Sequence, residues 1–143
     1  MEIVEQVAGL LGGKPLLGLR IRTWSELDRA VRAGLPKRSL QLVAGRAADV
    51  NEPVSTFVHK VVPPATFKRR VRLSANESER TERLARVIAM AENIWRDQAE
   101  TRAFLNRPHP LLDGQTPVNT ARTELGARRV EQLLHDAAHG LCV

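Results

Sequence analysis

The sequence predicts an all-α chain, and three observations carry that prediction. Helix-start signals recur: Thr23-Trp24-Ser25-Glu26 and Ser74-Ala75-Asn76-Glu77 both read as capping boxes, in which a hydroxyl accepts from a first-turn amide and the Glu reaches back. Large apolar residues fall three and four apart in most segments between such signals. Strand-type alternation is confined to Leu17-Gly18-Leu19-Arg20-Ile21-Arg22, which reads equally as an extended connector.

Each element has its own signal. The helix opened by Thr23 carries Leu27 and Val31 and stops at Gly34. Pro36 suits a first helical position, with Leu40 and Val43 following at apolar spacing. Asp49-Val50-Asn51-Glu52-Pro53 starts a short helix through His59 that presents Val54, Phe57 and Val58 on one face. Val61 and Val62 connect it to a second short helix, residues 64–72, opened by Pro64 and held to the body by Phe67 and Val71. The Ser74 box starts the longest periodic segment, to about Gln98. There Leu84, Val87, Ile88, Ala91, Ile94 and Trp95 form one apolar stripe. Ala103, Phe104 and Leu105 mark a shorter helix that ends before Pro108. Residues 106–115 read as a compact loop. Thr116-Pro117 opens a further helix, which Gly126 is expected to break or bend. Val130, Leu133, Leu134, Ala137 and Ala138 then repeat up to Gly140.

At 143 residues the chain is one ordinary domain or two small ones sharing a core. No apolar run is long enough to span a membrane. Met1–Glu5 lacks the basic region of a secretion signal. The single cysteine, Cys142, cannot staple a fold, which fits a reducing, cytoplasmic setting. Charge is unevenly spread. Residues 1–73 hold 4 Lys and 9 Arg against 6 acids, a net of +7, whereas residues 74–143 hold 9 Arg against 10 acids, a net of −1. The whole excess of +6 therefore lies in the first half, which points to an anionic partner there and a different partner for the rest.

Two short helices about four residues apart make a helix-turn-helix, with residues 64–72 as the recognition helix. Thr66, Lys68 and Arg69 fall where base edges would be read, Arg69 as a fork to guanine. Lys60, Arg70 and Arg72 suit phosphates. His135 and His139 stand at a metal-binding spacing, but without further ligands they read as a surface pair. No nucleophile elbow, phosphate-cradling glycine loop or paired carboxylates appear, so the sequence points away from an enzyme and calls for no cofactor or metal.

The run Pro64-Ala65-Thr66-Phe67-Lys68-Arg69-Arg70, then Leu73-Ser74 and Glu77-Ser78-Glu79-Arg80, resembles the Xre/MbcA/ParS family of antitoxins. So do Phe104-Leu105, Pro108, Leu112-Asp113-Gly114-Gln115-Thr116-Pro117, Thr123-Glu124-Leu125-Gly126, Val130, Leu133-Leu134 and Gly140. The likeness covers about residues 50–143; the first 45 or so match only loosely. Asp113 departs from the family, which often has Gly there.

The resemblance implies a type II antitoxin. Its partner would be a RES-type toxin, named for Arg, Glu and Ser, that consumes NAD⁺, and it would repress its own operon. The implied division is a helix-turn-helix DNA-binding domain over 1–73, a connecting and dimerisation helix over 74–98, and a toxin-binding domain over 99–143. A homodimer through the Leu84–Trp95 stripe would set two recognition helices about 34 Å apart, or a multiple of that. Pro108, Asp113, Gly114, Arg128, Arg129 and the tail Leu141, Cys142 and Val143 are the expected toxin contacts, with the apolar tail approaching the toxin's active-site mouth. Two other readings are a plain regulator whose C-terminal domain only dimerises, and an inhibitor that no longer binds DNA.

Overall fold

The computed structural model describes residues 2–140, and among them the fold is helical, with one isolated bridge between Pro36 and Arg72. Ten α-helices follow in order: α1 Ile3–Leu10, α2 Gly13–Leu17, α3 Trp24–Ala33, α4 Lys37–Ala47, α5 Val54–Val61, α6 Pro64–Arg69, α7 Ala75–Trp95, α8 Gln98–Leu105, α9 Pro117–Thr120 and α10 Glu124–Ala138. A single 3₁₀ turn, Pro110–Leu112, lies between α8 and α9.

α7 is the hub. It packs against α1, α3, α4, α5, α8 and α10. The expected stripe is there, with Leu84, Val87, Ile88 and Ala91 buried, but Ser78, Thr81, Ala85 and Ala89 are buried too. A helix covered on nearly all sides has no free apolar face. The surface expected to make a dimer is therefore consumed inside one chain: each large stripe residue contributes about 1.5–3 kcal/mol to this chain's own core. Both capping boxes form as read, with Glu26 N donating to Thr23 Oγ1 and Glu77 N donating to Ser74 Oγ, each at 3.1 Å.

α7 ends at Trp95, short of Gln98. Arg96 takes the left-handed conformation (φ 52°), and the Asp97 side chain accepts from Glu100 N to start α8. Trp95 stacks on Phe104 across that corner, with ring centroids 4.5 Å apart. The Leu17–Arg22 segment is a connector whose Ile21 enters the core. In α5, Phe57, Val58 and Val61 are buried, but Val54 is exposed.

The second short helix also stops early. α6 ends at Arg69, and Arg70 is already extended (ψ 136°). Residues beyond it run alongside the α3–α4 corner, where Leu73 N donates to Leu35 O at 2.9 Å. Val71 therefore points to solvent at 90% exposure and holds nothing; Leu73 supplies the anchor expected of it. The close approach depends on Gly34 (φ 98°), where an added Cβ would lie 2.5 Å from the Leu73 carbonyl oxygen.

Gly126 neither breaks nor bends a helix. The break falls at Ala121–Thr123, and the Thr123 side chain caps α10 by accepting from Gly126 N at 3.0 Å. Gly126 is needed for space, since a Cβ there would overlap the Thr120 carbonyl oxygen. Gly126→Ala is expected to cost about 1–3 kcal/mol of unfolding free energy through overpacking. Gly9, with open space around it, should accept Ala without such a loss. Urea denaturation of both variants checks this, and equal midpoints would refute the steric account.

Candidate functional sites at two ends of the fold

The first site is the α5–turn–α6 pair. Val62, wholly buried, and Pro63 make the turn, and Pro64 occupies the first turn of α6. Phe67 packs against the core and meets His59 edge-on, with ring centroids 5.9 Å apart. Lys37 Nζ lies 4.6 Å from the Phe67 ring centroid.

The six expected contact residues differ in how free they are. Lys68 and Arg69 are exposed and have no acidic partner among the described residues; Arg69 Nη2 donates only to Thr66 Oγ1, at 3.4 Å. Thr66 itself is partly buried. Lys60 pairs with Glu52 at 2.6 Å, and Arg70 pairs with Glu77 at 3.1 Å. Arg72 Nε donates to Gly34 O at 3.1 Å. The geometry leaves Lys68 and Arg69 as unmatched charge. Arg70 and Arg72 pin the backbone that follows α6.

Lys37 and Arg38 were not singled out from the sequence. They fill the first turn of α4, which holds no acid, next to Phe67 of α6. Cations there oppose the helix dipole by about 0.3–1 kcal/mol each. Two adjacent cations directly after Pro36 were the signal available in the sequence.

The second site is the 106–116 loop with the start of α10. His109 Nδ1 accepts from Leu111 N at 3.1 Å, and the His109 carbonyl accepts from both Leu112 N and Gly114 N. Leu112 is buried, whereas Leu111 faces solvent. Asp113 (φ 57°) and Gly114 (φ 78°) are both left-handed. Gly adopts that conformation freely and Asp tolerates it, so the Asp at 113 leaves the turn intact. Arg129 staples the loop to α10, reaching Asp113 Oδ2 at 3.0 Å and the Leu111 carbonyl at 3.3 Å. Arg128 pairs with Glu124 at 3.0 Å, and Pro108 is exposed. The structure thus brings Asp113, Gly114 and Arg129 together. Leu141, Cys142 and Val143 lie outside the described residues.

An arginine seam joins the two sites. Arg80 Nη1 donates to Val61 O at 3.1 Å, and Arg122 Nη1 donates to Lys60 O at 3.4 Å, so both reach the final carbonyls of α5. Arg122 also lies 5.7 Å from the Phe57 ring centroid, and its own carbonyl accepts from Arg83 at 2.8 Å. Burial pulls the Arg122 guanidinium below its usual range, partly offset by Glu52. It lines a cleft of about 470 Å³ with Glu52, Lys60 and Asn119. Further along, Arg86 bridges Glu82 of α7 and Glu131 of α10, at 3.6 and 3.7 Å.

His135 and His139 stack with ring centroids 4.2 Å apart, and no group of three metal-ligating residues occurs among the described residues. No helix among them is long and apolar enough to cross a membrane.

Residues 90–140 match the family model described as the antitoxin Xre/MbcA/ParS C-terminal toxin-binding domain. The match is confined to the carboxy-terminal part of the chain. The matched segment takes in the end of α7, α8, the stapled loop, α9 and α10. The antitoxin Xre of Pseudomonas putida is 31% identical over 85 residues, which cover 57% of this chain and 54% of that protein. The chain thus spans about half the length of the curated relative it matches.

The α7–α10 contact gives a pH test. Burial pushes the Glu82 carboxyl above the usual carboxylate range; Arg86 opposes this, while Glu79 and Glu131 add to it. The folded chain therefore holds this proton more tightly than the unfolded one. The contribution of Glu82 to stability therefore falls as pH rises from about 4.3, the unfolded value, through the raised folded value. Glu82→Gln should flatten that fall, as read from urea midpoints between about pH 4 and 8. An unchanged slope would show that Glu82 is not the titrating group.

Proposed function

We propose that the chain is an antitoxin. It neutralises a cognate toxin by covering the toxin's active site with residues 99–143, and it represses its own operon by binding DNA as a dimer through residues 1–73, with residues 74–98 as the connection. The observation that carries the toxin-binding half is the family match over residues 90–140. What supports the DNA-binding half is the α5–turn–α6 geometry, with Lys68 and Arg69 exposed and unmatched by acids.

In this reading the N-terminal end of α6 enters the major groove. Thr66, Lys68 and Arg69 read base edges, and Lys37 extends the cationic surface alongside. Arg70 and Arg72 hold the following backbone, and their remaining donors face the phosphates. The proposed toxin is of the RES type and consumes NAD⁺. The grip is made by the Pro108–Thr116 loop with Arg128 and Arg129, and the tail Leu141-Cys142-Val143 reaches the active-site mouth.

Two experiments test the reading. In a gel shift with DNA from upstream of its own coding sequence, Arg69→Ala should weaken binding by about 1–3 kcal/mol and relax one base position. Wild-type binding should fall steeply with salt. Unchanged affinity and base preference would mean that α6 is not the reading helix. Separately, a chain lacking residues 141–143 should inhibit NAD⁺ loss by the toxin less well than the full chain. Full inhibition by the truncated chain would remove the tail from the mechanism.

A further inference from the structure

Seven large apolar side chains are exposed among the described residues: Leu19, Trp24, Val50, Val54, Val71, Leu111 and Leu125. Only Leu111 and Leu125 lie inside the segment matched to the toxin-binding family. They stand 14 positions apart in sequence, and one side chain links the backbone of the first to the helix that carries the second. Arg129 donates to the Leu111 carbonyl at 3.3 Å, and Leu125 stands one turn before Arg129 on α10. Residues four apart share a helix face.

Neither leucine is needed where it stands for the fold. Leu112 already anchors the loop from inside, so position 111, at 59% exposure, asks only for a residue that leaves the turn alone. Leu125, at 74% exposure, occupies the first turn of α10, where an acid or a small polar residue would serve the helix better. Their setting is also rigid. The loop is closed by the His109–Gln115 backbone bond, two left-handed residues and the Arg129–Asp113 pair. A surface fixed before binding loses little conformational entropy when it docks.

We propose that Leu111 and Leu125 are the apolar centre of the toxin-gripping surface, with Arg128 and Arg129 as its polar rim. The occupant is the toxin polypeptide, presenting an apolar pocket edged by acceptors for the two guanidiniums. This rests on the reading that residues 90–140 bind a toxin. It goes beyond that reading by placing the energetic centre on one residue of the Pro108–Thr116 loop, Leu111, and on Leu125, which lies outside the expected contacts. Two desolvated anchors ringed by polar groups are the usual make-up of an interface centre.

The test uses the full chain and the protein encoded by its neighbouring reading frame, each purified and then mixed in a calorimeter. Leu111→Ser with Leu125→Ser should weaken the complex on the order of a hundredfold, roughly tenfold for each side chain. The melting temperature should stay unchanged, since both side chains face solvent. Val71→Ser, a still more exposed control outside the matched segment, should bind as wild type. Wild-type complex formation with undiminished binding by the double variant would overturn the two-leucine centre and leave the toxin-binding reading standing. Failure of the wild type to bind would overturn both. A fall in the sedimentation mass of the free chain on the double substitution would assign this face to a second copy instead, and would also overturn the proposal.

Discussion

The burial of α7 on nearly every side is the constraint from which the rest of the structure follows. A helix that gives its apolar residues to α1, α3, α4, α5, α8 and α10 makes the N-terminal and C-terminal units one packed body. Its N-terminal cap carries a second duty. Burial alone would push the Glu77 carboxyl up, but the Ser74 amide and the Arg70 guanidinium outweigh it and hold the carboxyl below its usual range. The carboxylate that starts α7 therefore also fixes the backbone leaving α6. The helix that organises the core sets where the exposed cations of α6 stand.

The same helix decides where an assembly cannot form. Its apolar residues are spent inside one chain, so any dimer must use another surface. The exposed apolar residues that remain lie in the connector before α3 and on α3, in the loop before α5 and at the start of α5, on the strand-like run after α6, and on the loop and first turn of the C-terminal unit. Apolar surface on these parts is small and divided, which suits contacts to partners better than a continuous homodimer core.

Much of this was legible in the sequence because the signals were local. Both capping boxes, the α5–α6 pair and the periodicity of α4, α7 and α10 were written in neighbouring residues. α1 went unread, although Val4, Val7, Ala8 and Leu11 repeat at helical spacing and are all buried. What could not be read depended on residues far apart. The end of α6 is set by the pairing of residues 72 and 73 with the α3–α4 corner. The role of Gly126 is set by the path of Thr120 and the hydroxyl of Thr123. The stripe on α7 was visible, but its partners were not, so a core face looked like a dimer face. Lys37 joins the cations of α6 only when α4 is folded against Phe67.

The uneven charge of the two halves takes its meaning from pairing. In the second half, five of the ten acids are matched by that half's own arginines: Arg83 with Glu79 and Glu124, Arg86 with Glu82 and Glu131, Arg128 with Glu124, and Arg129 with Asp113. The two acids paired across the boundary, Glu77 and Glu92, take Arg70 and Arg46 from the first half. Arg83–Glu79, Arg86–Glu82 and Arg128–Glu124 lie within one helix, while the other pairs tie one element to another, and together they leave little net field around the C-terminal unit. Acids in the first half are too few to match its cations, so Lys37, Arg38, Lys68 and Arg69 keep their charge facing water. A field made of unmatched cations draws phosphate over several ångströms and fades with salt. A surface of paired charges and exposed leucines acts only at contact, where shape decides. The chain thus separates a long-range, salt-sensitive attraction from a short-range, shape-dependent one, and α7 holds the two in fixed relation.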